Sequence, residues 1–212
     1  MAKTLDDYIE EITTLALGRD MSTRWYRDQV RTIVPRTFSE GGVTGLIKSG
    51  NTRSRPTYGT MNLYMYDPKL KEILEYYDIF PLVIPIGRRL NDGFVGINFH
   101  YLSVPQRWLL LERLSMFQVP SELDAFDSEE GGGDVMALFW SKIRRKRGVR
   151  PIVRRYLTKY IQTRFLKIEL SEMLIALAIP MERFYTGKWG GKKRMIPEKV
   201  FRQTRREMMS GA

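Results

Sequence analysis

The chain has 212 residues, 43% of them hydrophobic and 12% aromatic, with a formal net charge of +11. That is enough apolar surface for a packed domain, and no apolar run approaches the roughly 18–20 residues of a membrane span. There is no cysteine and one histidine, His100, which excludes disulfides, thiolate zinc sites, cysteine nucleophiles and any two-histidine metal site or relay. The first residues lack the apolar stretch of a signal peptide, and the composition fits a protein made in a reducing cytoplasm.

In chain order, residues 4–17 read as an amphipathic helix, capped by Thr4, with Leu5, Ile9, Ile12 and Ala16 on one face and Gly18 ending it. A second helix is expected over 22–34, from Ser22 to the residue before Pro35. The glycine-rich stretch 36–59 reads as a connector or extended arm. From Gly59 the period changes. Thr60–Tyr66 alternates as a strand does, and Asp67-Pro68 turns the chain. Residues 72–78 read as short helical or irregular structure. Residues 80–86 read as a strand in which Pro81 and Pro85 require an edge position or a bulge. Residues 87–93 form a turn, and 94–101 a strand with Val95, Ile97, Phe99 and Tyr101 on one face and Asn98 and His100 on the other, where hydrogen bonds to a facing loop are expected.

After Pro105 the helical period returns through Trp108, Leu111 and Leu114. Residues 118–133 form an acidic linker, and Asp134 caps a helix reaching Lys146. A helix is expected from Pro151, a favoured first position, with Ile152, Val153, Tyr156, Leu157, Tyr160 and Ile161 as its apolar stripe. Residues 165–170 read as a short strand. Ser171 starts a helix ending before Pro180, and Pro197 starts a last one.

The charge is unevenly placed. Residues 141–167 hold eleven Lys/Arg and no acid, and 183–206 hold nine Lys/Arg and one acid, whereas 67–134 hold six bases and twelve acids. Concentration in two blocks points to a polyanion partner rather than to a generally soluble surface. On the helix expected from Pro151, Arg154, Arg155 and Lys159 fall opposite the apolar stripe, with Arg144, Arg145, Lys146, Arg147 and Arg150 crowding the turn before it. Contacts from such cations go to phosphate, release counterions and carry little sequence information. A second cluster gathers Lys188, Lys192, Lys193 and Arg194 around Trp189, which could stack on a base or simply pack in its own loop. A solvated basic face, an RNA or an acidic protein fits the charge as well.

Catalysis finds little support. His100 alone reads as a structural residue. Asp6/Asp7 and Glu129/Glu130 lie in a helix start and a loop, and Asp67 and Asp78 could hold a metal, although Asp67 is explained by its turn. Gly93-Phe94-Val95-Gly96 lacks the Gly-Lys-Ser/Thr ending of a phosphate loop. No enzyme, cofactor or metal is expected.

Three segments, spanning about residues 60–185, carry a resemblance. They are Tyr64-Met65-Tyr66-Asp67-Pro68-Lys69 followed by Tyr76-Tyr77-Asp78-Ile79-Phe80-Pro81-Leu82; Gly93-Phe94-Val95-Gly96-Ile97-Asn98-Phe99-His100-Tyr101-Leu102; and Arg164-Phe165-Leu166-Lys167-Ile168-Glu169 with residues 175–184. In this order they resemble the DNA end protectors of T-even-like contractile-tailed phages. The chain departs from that pattern in its glycine-bearing acidic loop and in Glu75, where the family has proline. The resemblance implies a non-catalytic minor virion protein near the head–tail junction. It would bind double-stranded DNA ends through phosphate, protect them from host exonuclease after ejection, and aid head completion alongside other head, neck or tail proteins, in an oligomer if the virion requires one. It implies residence in the virion, with passage through the host cytoplasm during assembly and after ejection. The alternative is a structural neck, tail or baseplate protein whose basic surface meets an acidic partner. No membrane is involved in either.

The fold expected is α+β, with N-terminal helices, a small antiparallel sheet able to curl into an SH3-like barrel, and a helical basic C-terminal half. The expected divisions are 1–59 for the N-terminal helices and arm, 60–185 for the core, and 186–212 for a basic tail.

Overall fold

The computed structural model describes residues 52–89, 92–115, 147–168, 173–178, 180–187 and 193–210. The helices expected over 4–17, 22–34 and 134–146 and the acidic linker lie outside these residues, as does the arm up to residue 51.

Strands β1 (Thr52–Arg53), β2 (Met61–Leu63), β4 (Leu82–Arg89), β5 (Gly93–Asn98), β6 (Val153–Leu157) and β7 (Phe165–Ile168) form a sheet in the order β1-β7-β2-β4-β5-β6, with every pairing antiparallel. Its end strands β1 and β6 do not pair, so among the described residues the sheet is open and no barrel closes. A second sheet of β3 (Tyr77–Asp78), β8 (Phe184–Thr186) and β9 (Lys193–Arg194) runs in the order β3-β8-β9. The helices are α1 (Val104–Ser115), α2 (Met173–Ala178) and α3 (Pro197–Ser210). No described helix is long and apolar enough to cross a membrane.

The prolines of β4 resolve as a bulge rather than an edge. β4 is central, between β2 and β5, and its register shifts between Pro85 and Gly87. A bulge tolerates a residue without a donor N–H. β5 ends at Asn98, whose side chain caps a 3-10 turn, Phe99–Tyr101, by accepting from the His100 N–H.

Both faces of the sheet are covered. On one, Leu82, Ile84, Ile86, Ile97 and Ile168 join residues of the three helices, among them Val104, Trp108, Leu177, Val200 and Phe201. On the other, Tyr64, Tyr66, Val83, Phe94, Tyr156 and Phe165 form an aromatic cluster with edge and stacked ring contacts.

The helical face is fastened by Arg107, a fully buried side chain of α1. Its Nε donates to the Leu102 carbonyl and its Nη1 to the Leu177 carbonyl, both at 2.9 Å, and its Nη2 donates to Glu182. The guanidinium also lies over the Phe201 ring of α3. One side chain thus ties α1 to α2, α3 and the segment before β8. Burial raises the Glu182 pKa and Arg107 lowers it, and the net shift is downward.

The expectation of a helical C-terminal half is corrected. The segment from Arg147 to Ile152 is a 3-10 turn, 153–157 is strand β6, and Thr158–Tyr160 is a further 3-10 turn. The apolar residues 152, 153, 156, 157, 160 and 161 satisfy a helical period, but most are β-branched or aromatic, which favours a strand. The deciding term is tertiary: the N–H and C=O groups along the outer side of β5 need partners, and β6 supplies them over Gly93–Ile97.

Two consequences can be measured. A Cβ at Gly93 would lie 1.9 Å from the Tyr156 carbonyl oxygen across this pairing. Gly93→Ala should therefore destabilise the fold by about 1–3 kcal/mol or more in urea denaturation. Arg107→Met leaves the Glu182 carboxylate buried without its cation and should cost about 3–5 kcal/mol. Because the folded Glu182 pKa is depressed, its contribution is complete above the ordinary value of 4.5 and is lost as pH falls through the lower folded value. Glu182→Gln should accordingly be weaker at neutral pH and flatten the stability profile between about pH 5 and pH 3.

Candidate nucleic-acid interface

Strand β6 is the free end of the large sheet among the described residues, and it carries the first basic block. The strand period of two separates cations that a helix would have grouped. Arg155 is nearly half exposed and pairs with the Asp92 carboxylate across the β5–β6 end. Arg150, before the strand, and Lys159, after it, are exposed. Lys193 and Arg194 are exposed on β9, the outer strand of the second sheet. Arg147 begins the 3-10 turn, and Arg144, Arg145, Lys146, Lys188 and Lys192 lie outside the described residues, as does Trp189.

Arg154 is placed differently from the expectation. It turns inward, on the same side of β6 as buried Tyr156, and its guanidinium carbon lies 4.5 Å from the Tyr101 ring centroid. It lines a cleft of about 640 Å³ between the end of the β5–β6 pair and the segment 66–78. Asn98, Tyr101, Arg154 and Tyr156 contribute from the sheet side. Tyr66, Lys69, Leu70, Leu74, Tyr76 and Tyr77 contribute from the opposing segment, and Glu207 from α3.

The cleft is held by a buried polar network. Asp78 Oδ1 accepts from the Phe80 N–H at 3.0 Å. Its Oδ2 accepts from Asn98 Nδ2 at 3.3 Å and from His100 Nδ1 at 2.9 Å. Asn98 Nδ2 also donates to the Tyr156 hydroxyl at 3.1 Å. Asn98 and His100 do share a hydrogen-bonding partner, as expected, but it lies on strand β3 rather than in a loop, and His100 sits in the 3-10 turn rather than on the strand. His100 is fully buried with Nδ1 committed to Asp78, which suits a structural residue rather than a general base. Asp67, the other carboxylate considered for a metal, pairs with Lys71, and no group of three potential metal ligands occurs among the described residues.

Burial shifts the titration of several groups in the cleft. Burial pushes the Tyr156 hydroxyl well above its ordinary pKa. Burial likewise raises Tyr101, to about 12, against a downward pull from Arg154. For Arg154, burial works against the charge, but the phenols of Tyr101, Tyr156 and Tyr76 outweigh it, and the net shift is upward. The cleft therefore presents tyrosine hydroxyls beside a permanent cation, with Glu75, Asp78, Asp92 and Glu207 also in its lining.

Sequence reasoning missed this concave site. The aromatic spacing in 64–77 was visible, but nothing in it announced that Tyr66, Tyr76 and Tyr77 would face Tyr101 and Tyr156 across a cleft.

In fold and surface this is a basic α+β protein built on an open antiparallel sheet, with cations along one edge and an aromatic cleft beside it. The chain belongs to the family described as phage T4 terminal DNA protecting protein, whose match covers residues 16–204. It is thereby a bacteriophage DNA end protector, as the resemblance over residues 60–185 implied, and the match reaches well beyond that stretch on both sides. No curated protein and no solved structure matches the chain.

Replacing Asp78 should loosen the whole site. Asp78→Ala leaves three donors without their acceptor, and thermal or urea unfolding should show a loss of roughly 3 kcal/mol.

Proposed function

We propose that this chain binds the ends of packaged double-stranded DNA in the virion without catalysis, shields them from host exonuclease after ejection, and helps complete the head. The family membership supports a role at DNA termini. The exposed cations support the mode of contact. Arg150, Arg155 and Lys159 follow one another along the edge strand and its flanking turns, and Lys193 and Arg194 stand on the outer strand of the second sheet. β6 itself extends about 17 Å at the usual rise per residue, a length along which several phosphates can be met. Contacts of this kind fix position on the duplex and read little sequence. Arg144, Arg145, Lys146, Lys188 and Lys192, outside the described residues, are proposed as further phosphate contacts from their place in the basic blocks of the sequence. Neighbouring head, neck or tail proteins would hold the protein at the portal end of the DNA.

The single observation that carries this reading is the family match across residues 16–204. Its test is the digestion of linear duplex DNA by a processive exonuclease in the presence of the purified protein. Protection should appear at low salt, be absent on DNA whose ends are closed by hairpins, and disappear as salt rises. A triple variant, Arg150→Ala, Lys159→Ala and Arg194→Ala, should lower the slope of log affinity against log salt by up to about 3, or one per lost phosphate contact. Undiminished digestion at low salt would sink the reading and leave a neck or tail component that meets an acidic protein through the same cations.

A further inference from the structure

We propose that the cleft floored by Arg154 is a subsite for one terminal nucleotide, its phosphate on the guanidinium and its base among the tyrosine rings. This deepens the proposed role at DNA ends and rests on it for its biological source.

The case begins with an imbalance. Arg154 is only partly exposed, yet no carboxylate among the described residues pairs with it. It meets Tyr101, whose ring centroid lies 4.5 Å from its guanidinium carbon and whose side chain also shares a hydrogen bond with it. A cation removed from water without a counter-charge is unfavourable, and Arg107 shows how this protein treats such a group when it is purely structural: two carbonyls and a carboxylate surround it. Arg154 lacks such an enclosure and faces open space instead. The acids near the cleft are already engaged. Asp92 is taken by Arg155, Asp78 by Asn98, His100 and the Phe80 N–H, and Glu75 and Glu207 both accept from Gln203 Nε2. The unmatched donor capacity in the cleft is therefore cationic and planar, which suits the forked recognition of a phosphate.

Size and lining narrow the ligand. A volume of about 640 Å³ lies within the roughly 300–1,000 Å³ of sites that enclose one small molecule. The walls contributed by Tyr66, Tyr76 and Tyr77 supply aromatic surface, on which a base of any identity can rest. Glu75 and Glu207 stand on the side of α3 and would repel a strand running through the cleft, whereas a single end nucleotide can enter with its phosphate toward Arg154. The same geometry accepts a free nucleotide, so the two sources need separate measurements.

The experiment uses the full chain and two probes. With 2′-deoxyadenosine 5′-monophosphate, the thermal unfolding midpoint should rise, while 2′-deoxyadenosine leaves it unchanged; Arg154→Gln should abolish the rise. The unfolding midpoint of the ligand-free variant is measured alongside, so that loss of the rise is read on a folded protein. With duplexes that differ only at the end, a 5′-phosphate should compete about tenfold better than a 5′-hydroxyl, and the preference should vanish in Arg154→Gln. If that variant fails to fold, the wild-type comparison of phosphorylated with unphosphorylated ends decides alone. No response to the nucleotide together with no preference for the phosphorylated end would overturn the subsite while leaving exonuclease protection intact. A nucleotide response without any protection of linear DNA would leave the subsite standing as a free-nucleotide site and overturn the role at DNA ends.

Discussion

The arrangement of the site depends on one buried carboxylate. Asp78 sits in β3 of the small sheet, and its acceptors reach across to Asn98 and His100, where β5 of the large sheet runs into its 3-10 turn. A carboxylate taken out of water must have its lone pairs met, and here the donors come from two elements, so satisfying the charge also sets their relative position. Asn98 carries the constraint onward to the Tyr156 hydroxyl on β6. The segment between Tyr66 and Asp78, which walls the cleft, is held at its start by the Tyr66 N–H to the Ile79 carbonyl and the Asp67 N–H to the Tyr160 carbonyl, and at its end by Asp78 itself. The cleft is therefore a product of the joint between two sheets.

The cations of the edge strand have two physical explanations. Charge on an edge strand prevents it from pairing with another chain, and that suffices for Arg155 and Lys159, which stand in solvent. It does not suffice for Arg154, which faces the cleft and meets an aromatic ring. The same short sequence, Arg154-Arg155, thus places one cation at the surface and one at the floor of a cavity. The proposed role at DNA ends would use both: a surface that gathers phosphate at low cost in specificity, and a confined place sized for a single nucleotide.

Much of the architecture could be read from local pattern. The alternation in 94–98, the turn at Asp67-Pro68, the helix that follows Ser103 and the final helix from Pro197 all follow from periodicity and from turn or first-turn residues, which act within a few positions. Pro85 announces an irregularity because proline cannot donate to a ladder, and the central position of β4 makes it a bulge rather than an edge. The stretch 151–161 was misread because its apolar spacing meets two periods at once, and only the unpaired side of β5 selects between them. The same misreading placed Arg154 on an outward face.

The sequence by itself determined that the protein is basic in two blocks, lacks thiol and histidine chemistry, and carries the aromatic and Gly-Phe-Val-Gly-Ile-Asn runs of its family; these are properties of composition and order, which folding does not change. Only the tertiary structure decided which arginine stays in water and which faces the cleft, that Asp78 accepts from Phe80, Asn98 and His100, and that five tyrosines distant in the chain surround one cleft. These outcomes depend on contacts between residues as far apart as Tyr66 and Tyr156, and such contacts are set by the pairing of strands rather than by any local preference of the chain.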